Sequence, residues 1–143
     1  MATRLNIEQL GSEIIREIAS EVIDIESDEI QTLIDDMFFT CEEANGMGIA
    51  APQVNQSKAI LIISSKPNER YPHAPMMEPT VLINPKIISH SDEMYKDWEG
   101  CLSLPGVRAQ VPRYTDIEVS YFDRVAKQHF VKYSDFIAKV FQH

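Results

Sequence analysis

The groups in this chain best suited to chemistry are a thiol, a side-chain amide and an imidazole, each in an unusual local setting. Cys101 stands in Glu99-Gly100-Cys101-Leu102-Ser103-Leu104-Pro105-Gly106, where glycines and a proline hold it in irregular backbone, away from any apolar register. That setting marks an accessible thiol, suited to be either a metal ligand or a nucleophile. Cys41 is the contrast, because it falls on the apolar face of a helical pattern, the usual place of a structural cysteine. Gln53 closes Gly46-Met47-Gly48-Ile49-Ala50-Ala51-Pro52-Gln53. Small residues there let the backbone approach another group closely, and they serve a tight helix-to-strand turn equally well. A neutral amide beside an apolar strand can donate an N–H to a developing oxyanion, whereas a carboxylate would repel it. His143 ends Val140-Phe141-Gln142-His143, after the apolar face of a short helix, while His73, His90 and His129 lie in loop or strand surroundings that suit a solvated or hydrogen-bonded ring.

These groups need elements to position them. Leu10, Ile14, Ile15, Ile18 and Val22 recur with helical spacing and predict a short surface helix from about Ser12. A stronger pattern follows over residues 28–44, with Ile30, Leu33, Ile34, Met37, Phe38, Cys41 and Ala44 on one face and Ser27, Asp28 and Glu29 favouring its N-terminus. Asn45-Gly46 then tolerates the positive φ with which a helix stops. Residues 59–64 (AILIIS) read as a buried strand, and residues 81–83 and 86–91 as further strands interrupted by Pro85. Between them, residues 65–79 carry Pro67, Pro72, Pro75 and Pro79, too many for a helix or central strand; a surface excursion is the reading, with a functional lid as its competitor. Ile117, Val119 and Tyr121 alternate with polar residues, and after a turn at residues 123–127 the strand 129–133 pairs back as a hairpin. Ser134 is placed to cap a last helix whose Phe136, Ile137, Val140 and Phe141 share a face.

Length and composition bound the rest. A chain of 143 residues with 44% hydrophobic and 24% charged residues suits one globular domain. Its formal charge of −9, with no basic stripe, argues against binding a nucleic-acid backbone, so no direct DNA contact is expected. Two cysteines are too few for a disulfide framework and suit a reducing, cytoplasmic compartment. No apolar run approaches a membrane span, and residues 1–20 lack the apolar block of a signal peptide.

Taken in order, GMGIAAPQ, EGCLS and FQH resemble the three motifs of peptide deformylase, the family that removes the formyl group from new polypeptides. The resemblance runs along nearly the whole chain, since Leu10-Gly11, Asp36-Met37 and Ile83-Asn84-Pro85 also stand where that family tends to have such residues. It implies an α+β fold, with small antiparallel or mixed β-sheets packed around a central metal-binding helix and a long helix from the N-terminal half on the outside. It further implies that Cys101 and His143 are metal ligands, that Gln53 and the backbone N–H of Leu102 hold the formyl oxygen, and that Met47 and Gly48 line the substrate cleft with Arg108 at its edge. The metal would be Fe²⁺, with Zn²⁺ or another divalent transition metal as substitute. The substrates would be N-formyl-methionyl peptides, met at the ribosome by a monomeric enzyme.

One departure stands out. In the family, the histidine matching His143 opens an H-E-x-x-H helix, whose spacing sets two imidazoles on one face with a general-base Glu between them. Here nothing follows His143. The expectation is a single deformylase-like domain interrupted within its third motif. Two other readings stay open: a module that binds N-blocked peptides without turnover, and a thiol enzyme with Cys101 as nucleophile and His143 as its base.

Overall fold

Ser27 starts the first helix as its sequence predicts. In the computed structural model, which describes residues 20–44, 46–54, 56, 58–67, 72, 74–101 and 104–142 (of 95–112 and 139 the backbone alone), Ser27 is extended and its hydroxyl accepts from the Ile30 N–H at 3.3 Å. The helix, α1, runs Asp28–Glu43 with Asp28 and Glu29 in the first turn, where the N-terminal dipole favours acidic side chains. Ile30, Leu33, Ile34, Met37 and Cys41 are all buried, the stripe that their spacing predicts. Each such aliphatic side chain contributes about 1.5 to 3 kcal/mol by leaving water. The chain leaves the helix through bonds from Ala44 N–H to Thr40 O and from Gly46 N–H to Cys41 O, while Asn45 lies outside the described residues.

α1 covers one face of a five-stranded antiparallel sheet of order β1-β2-β3-β6-β7: β1 Gly48–Ala50, β2 Ile60–Ile63, β3 Thr80–His90, β6 Asp116–Phe122 and β7 Gln128–Ser134. Ile49, Ile60, Ile62, Val81 and Ile83 face α1. Leu82, Ile63, Ile117, Val119 and Tyr121 face the other way, against Ala138 of a second helix, α2, Asp135–Gln142. Covering on both faces is why β2 reads as a continuous apolar run. The β6–β7 hairpin has the expected alternation, with Ile117 opposite Tyr133 and Val119 opposite Val131. Its turn is tied to α1 by Arg124, which donates to Gln31 Oε1 and pairs with Asp35.

Four local expectations are corrected. Pro85 does not break the strand: β3 is continuous, and the proline sits at a register shift between Ile83 and Lys86. Asn84 makes this possible, with φ at 52° and its side-chain amide bonded both to Val22 N–H at 2.8 Å and to Val22 O at 2.9 Å. Val22 is bonded to Asn84 and is not part of a helix; the remainder of the helix expected there falls in 1–19, outside the described residues. Cys101 lies not wholly in irregular backbone but at the end of a strand, β4 Met94–Cys101, at a register shift after Gly100; β4 pairs with β5 Leu104–Tyr114 as a separate two-stranded ribbon. Finally, Ser134 ends β7, and Asp135, at φ 53°, turns the chain into α2.

The proline-rich stretch is closed on itself. Ser65 is fully buried, its hydroxyl donates to Pro75 O at 2.6 Å, and its carbonyl accepts from Met77 N–H. A cavity of about 370 Å³ lies between this stretch and α1, lined by Phe38, Glu42, Lys66, Met76 and Met77 among others.

Candidate active site

Of the three motifs, the first is described in most detail. Ser64 N–H donates to Met47 O at 2.8 Å, so residues 47 and 64 form a hydrogen-bonded pair. Antiparallel ladders alternate, so the next pair, Gly48 and Ile63, is non-hydrogen-bonded, and the Gly48 N–H and C=O point away from β2. That side is the open edge of β1, the terminal strand of the described sheet. Ala50 has the same parity, and its N–H is taken by Gln53 Oε1 at 2.9 Å, from the 3₁₀ turn Ala51–Val54 that follows the strand. With its oxygen committed to the backbone, the Gln53 amide has a set orientation in which Nε2 is the donor end. Met47 is buried.

Only glycine fits at residue 48. A Cβ there would stand 2.9 Å from the Ile62 carbonyl oxygen and 3.1 Å from Val140 Cγ1 of α2. The first motif is thus small because the helix leading to the third motif packs directly on it. Gly48→Ala should therefore push α2 from β1 and lower stability by roughly 1 to 3 kcal/mol, the usual cost of overpacking. Denaturant unfolding checks this, and an unchanged midpoint would contradict it.

The second motif lies on the ribbon. Its ladder runs from Met94 opposite Tyr114 to Gly100 opposite Arg108, then shifts so that Cys101 faces Leu104. The register sets the Arg108 backbone opposite Gly100, the neighbour of Cys101; for Arg108 and Cys101 the backbone alone is described. Leu102 lies outside the described residues, as does His143 of the third motif. α2 ends at Gln142, one residue before His143, and carries half-buried Ile137, Val140 and Phe141, with the Phe141 ring against Tyr133 at 6.3 Å between centroids. Among the described residues no three His, Cys, Asp or Glu side chains form a group that could hold a metal.

Cys41, His90 and His129 behave as their settings predict. His129 bonds to Asp123 at 2.7 Å and stacks on Tyr121, and His90 stacks on Tyr114 at 3.8 Å between centroids. His73 lies outside the described residues. Cys41 is 1% exposed and donates to Gly46 O, and burial pushes its thiol up from 9.0 to about 11. A pKa raised on folding means that the folded state holds the proton more tightly. Its stabilising effect is complete below pH 9.0 and is lost as the pH climbs toward 11. We expect Cys41→Ala to abolish a fall in stability worth about 2 kcal/mol by pH 11. The check is the pH dependence of urea midpoints for both proteins; parallel curves would contradict it.

Asn84 and Gln142 are the residues that sequence reasoning passed over. Both use a side-chain amide as a substitute peptide group, and Gln142 does so on Tyr114: Oε1 accepts from its N–H at 2.7 Å and Nε2 donates to its carbonyl at 2.8 Å. A buried or half-buried amide next to a motif residue is the signal that could have found them.

The family model described as polypeptide deformylase matches residues 4–143. The chain is 52% identical over 139 residues to peptide deformylase 2 of Nostoc sp. (strain PCC 7120), covering 97% of this chain and 78% of that relative. A crystal structure of class I type b peptide deformylase from Acinetobacter baumannii, with Met-Ala-Ser bound, superposes with a TM-score of 0.96 at 40% identity, over 100% of this chain and 91% of that one. A peptide deformylase from Ehrlichia chaffeensis follows at a TM-score of 0.88 and 32% identity, over 99% of this chain and 80% of that one. The α+β architecture and the order of the motifs have one common explanation: this chain belongs to the polypeptide deformylase family, whose metal-dependent hydrolases remove the formyl group from nascent peptides.

Proposed function

We propose that this chain acts on N-formyl-methionyl polypeptides in the cytoplasm as they leave the ribosome, as a monomer, releasing formate and a free N-terminus. The observation that carries the reading is the open side of β1, where the Gly48 backbone groups point outward close to the oriented Gln53 amide. An extended peptide can pair along such an edge, as strand addition requires. Its formyl oxygen would then be held by the Gln53 Nε2–H and the Leu102 backbone N–H. Met47 and Gly48 would line the cleft, Arg108 its edge, and Ile137 and Phe141 would add apolar wall for the methionine side chain.

Cys101 and His143 would hold the metal. A thiolate and an imidazole fit Fe²⁺ or Zn²⁺ and suit Mg²⁺ or Ca²⁺ poorly. When bound, the ion supplies Lewis-acid activation of water and of the formyl group. Two protein donors are fewer than the three of a typical catalytic site. In the family motif that FQH resembles, a Glu and a second His follow the histidine that matches His143; such residues would complete the donor set, and the Glu could pass the proton to the departing amine.

The test is formate release from an N-formyl-methionyl tripeptide under anaerobic conditions, with an N-acetyl analogue as control. We expect formate from the formyl peptide alone, and much more of it from a chain that carries Glu, two residues and a second His after His143. Tight binding of both peptides without formate, even in the extended chain, would instead indicate a module for N-blocked peptides.

A further inference from the structure

We propose that the cavity beside the end of α1 is a substrate subsite, which takes a large apolar side chain from the fourth residue of the formylated polypeptide. This rests on the reading that the peptide pairs along the open edge of β1. The cavity, of about 370 Å³, is walled mainly by Phe38 of α1 and by Met76, Met77 and Pro79 of the proline-rich stretch. Its two charged lining residues, Glu42 and Lys66, are of opposite sign, so apolar bulk rather than charge selects the occupant. Most of the wall is held in place before anything binds. Ser65 donates to Pro75 O at 2.6 Å and accepts from Met77 N–H at 2.9 Å, and Met77 and Phe38 each pack against a buried core cluster. Met76 is the exception: it is 77% exposed, and its flexible thioether can close over a guest.

Two hydrogen bonds fasten this cavity to the start of β1. Ser64, which lines it, donates from its N–H to Met47 O at 2.8 Å, and Cys41, next to the lining Glu42, accepts from Gly46 N–H at 2.9 Å. Direction and parity then select the residue. The formyl end lies at Gln53, past the end of β1, so a paired peptide runs from Ala50 back toward Met47. Gly48 faces α2, whose Val140 Cγ1 is 3.1 Å from where a Cβ would stand, whereas Ile49 packs with the residues of α1. Directly opposed residues share a face and successive residues alternate. With the formyl-methionine opposite Gly48, its side chain and that of the third residue turn toward α2, and those of the second and fourth toward α1. The second stands level with Met47, whose own buried side chain fills that face. The fourth, about 10 Å along from the formyl-methionine, is the first on this face to clear Met47, at the end of the strand where the cavity is fastened.

The experiment compares three N-formyl-methionyl pentapeptides on the full chain: one with serine at every later position, one with leucine third and one with leucine fourth. Binding is read as the fluorescence anisotropy of a dye on the peptide C-terminus, before measurable formate release. We expect leucine in the fourth position to tighten binding by about 10-fold over serine, and leucine in the third to bring no such gain. In Met76→Asp, which puts a charge into the apolar wall at an exposed position, the fourth-leucine and all-serine peptides should bind alike. Val125→Asp adds the same charge at an exposed turn residue away from the cavity and should keep the difference. Equal affinity for the leucine and serine peptides would overturn the proposal, as would a gain at the third position instead, a gain that survives Met76→Asp, or one lost equally in Val125→Asp. Failure of the unaltered chain to bind any of the three would overturn the edge reading together with it, an outcome distinct from all of these.

Discussion

Replacing Cys101 with serine is expected to leave a folded protein that retains almost no metal and releases no formate above background. The argument starts from donor chemistry. A serine hydroxyl remains protonated near neutral pH and is a poor ligand for a borderline-soft ion, whereas a thiol yields its proton to the metal. If Cys101 is a ligand, affinity should fall by more than the roughly 100-fold typical of losing a group that merely supports one. Cys41→Ser is the internal control. Cys41 is fully enclosed and hydrogen-bonded to Gly46 O, a bond that a hydroxyl can also make, so that variant should lose some stability and no metal. Elemental analysis of the three proteins decides the matter. Equal metal in all of them would remove Cys101 from the site, and metal lost from both variants would point to a general failure of folding.

The second large effect is expected at Gln53. Gln53→Leu should lower kcat by about 10²- to 10³-fold, the cost of removing one donor to an oxyanion. That variant also strips Ala50 N–H of its 2.9 Å acceptor, which costs stability on its own account, about 1 to 3 kcal/mol if the group stays dry. Gln53→Glu separates the two roles. A carboxylate still accepts from Ala50 N–H, so the turn should hold, but it donates nothing and repels developing negative charge. We therefore expect Gln53→Glu to melt close to the wild-type temperature and to be at least as slow as Gln53→Leu, with metal content unchanged in both. Near-wild-type turnover by Gln53→Glu would exclude the amide as an oxyanion donor.

These predictions depend on an arrangement of which only part was legible in the chain. Local physics made α1 readable, because Ser27 and the spacing from Ile30 to Cys41 act within a few residues of one another. The β6–β7 hairpin was readable for the same reason: Ile117, Val119 and Tyr121 alternate, and their partners lie just across a short turn. The three motifs were legible because each is short and local: GMGIAAPQ, EGCLS and FQH lie within a few consecutive residues, so their recognition needs no knowledge of the packing around them.

What lay beyond the sequence was every contact between residues far apart in the chain. Pro85 reads locally as the end of a strand, yet β3 passes through it, because Asn84 takes a positive φ that its two bonds to Val22, 62 residues away, hold in place. The β4–β5 ribbon carries Pro105 and Pro112 and lacks clean alternation, so its pairing emerges only from the ladder itself. Gly48 could be read as a turn former; its reason is Val140, brought from α2 to within 3.1 Å of where a Cβ would sit. Gln142 shows nothing in the sequence except its place beside His143, and it becomes a clamp only when Tyr114 is folded against it. Residue type follows from the chemistry that a position must perform and is written locally, whereas distance and orientation come from packing and long-range hydrogen bonds, which form only once the whole chain has folded.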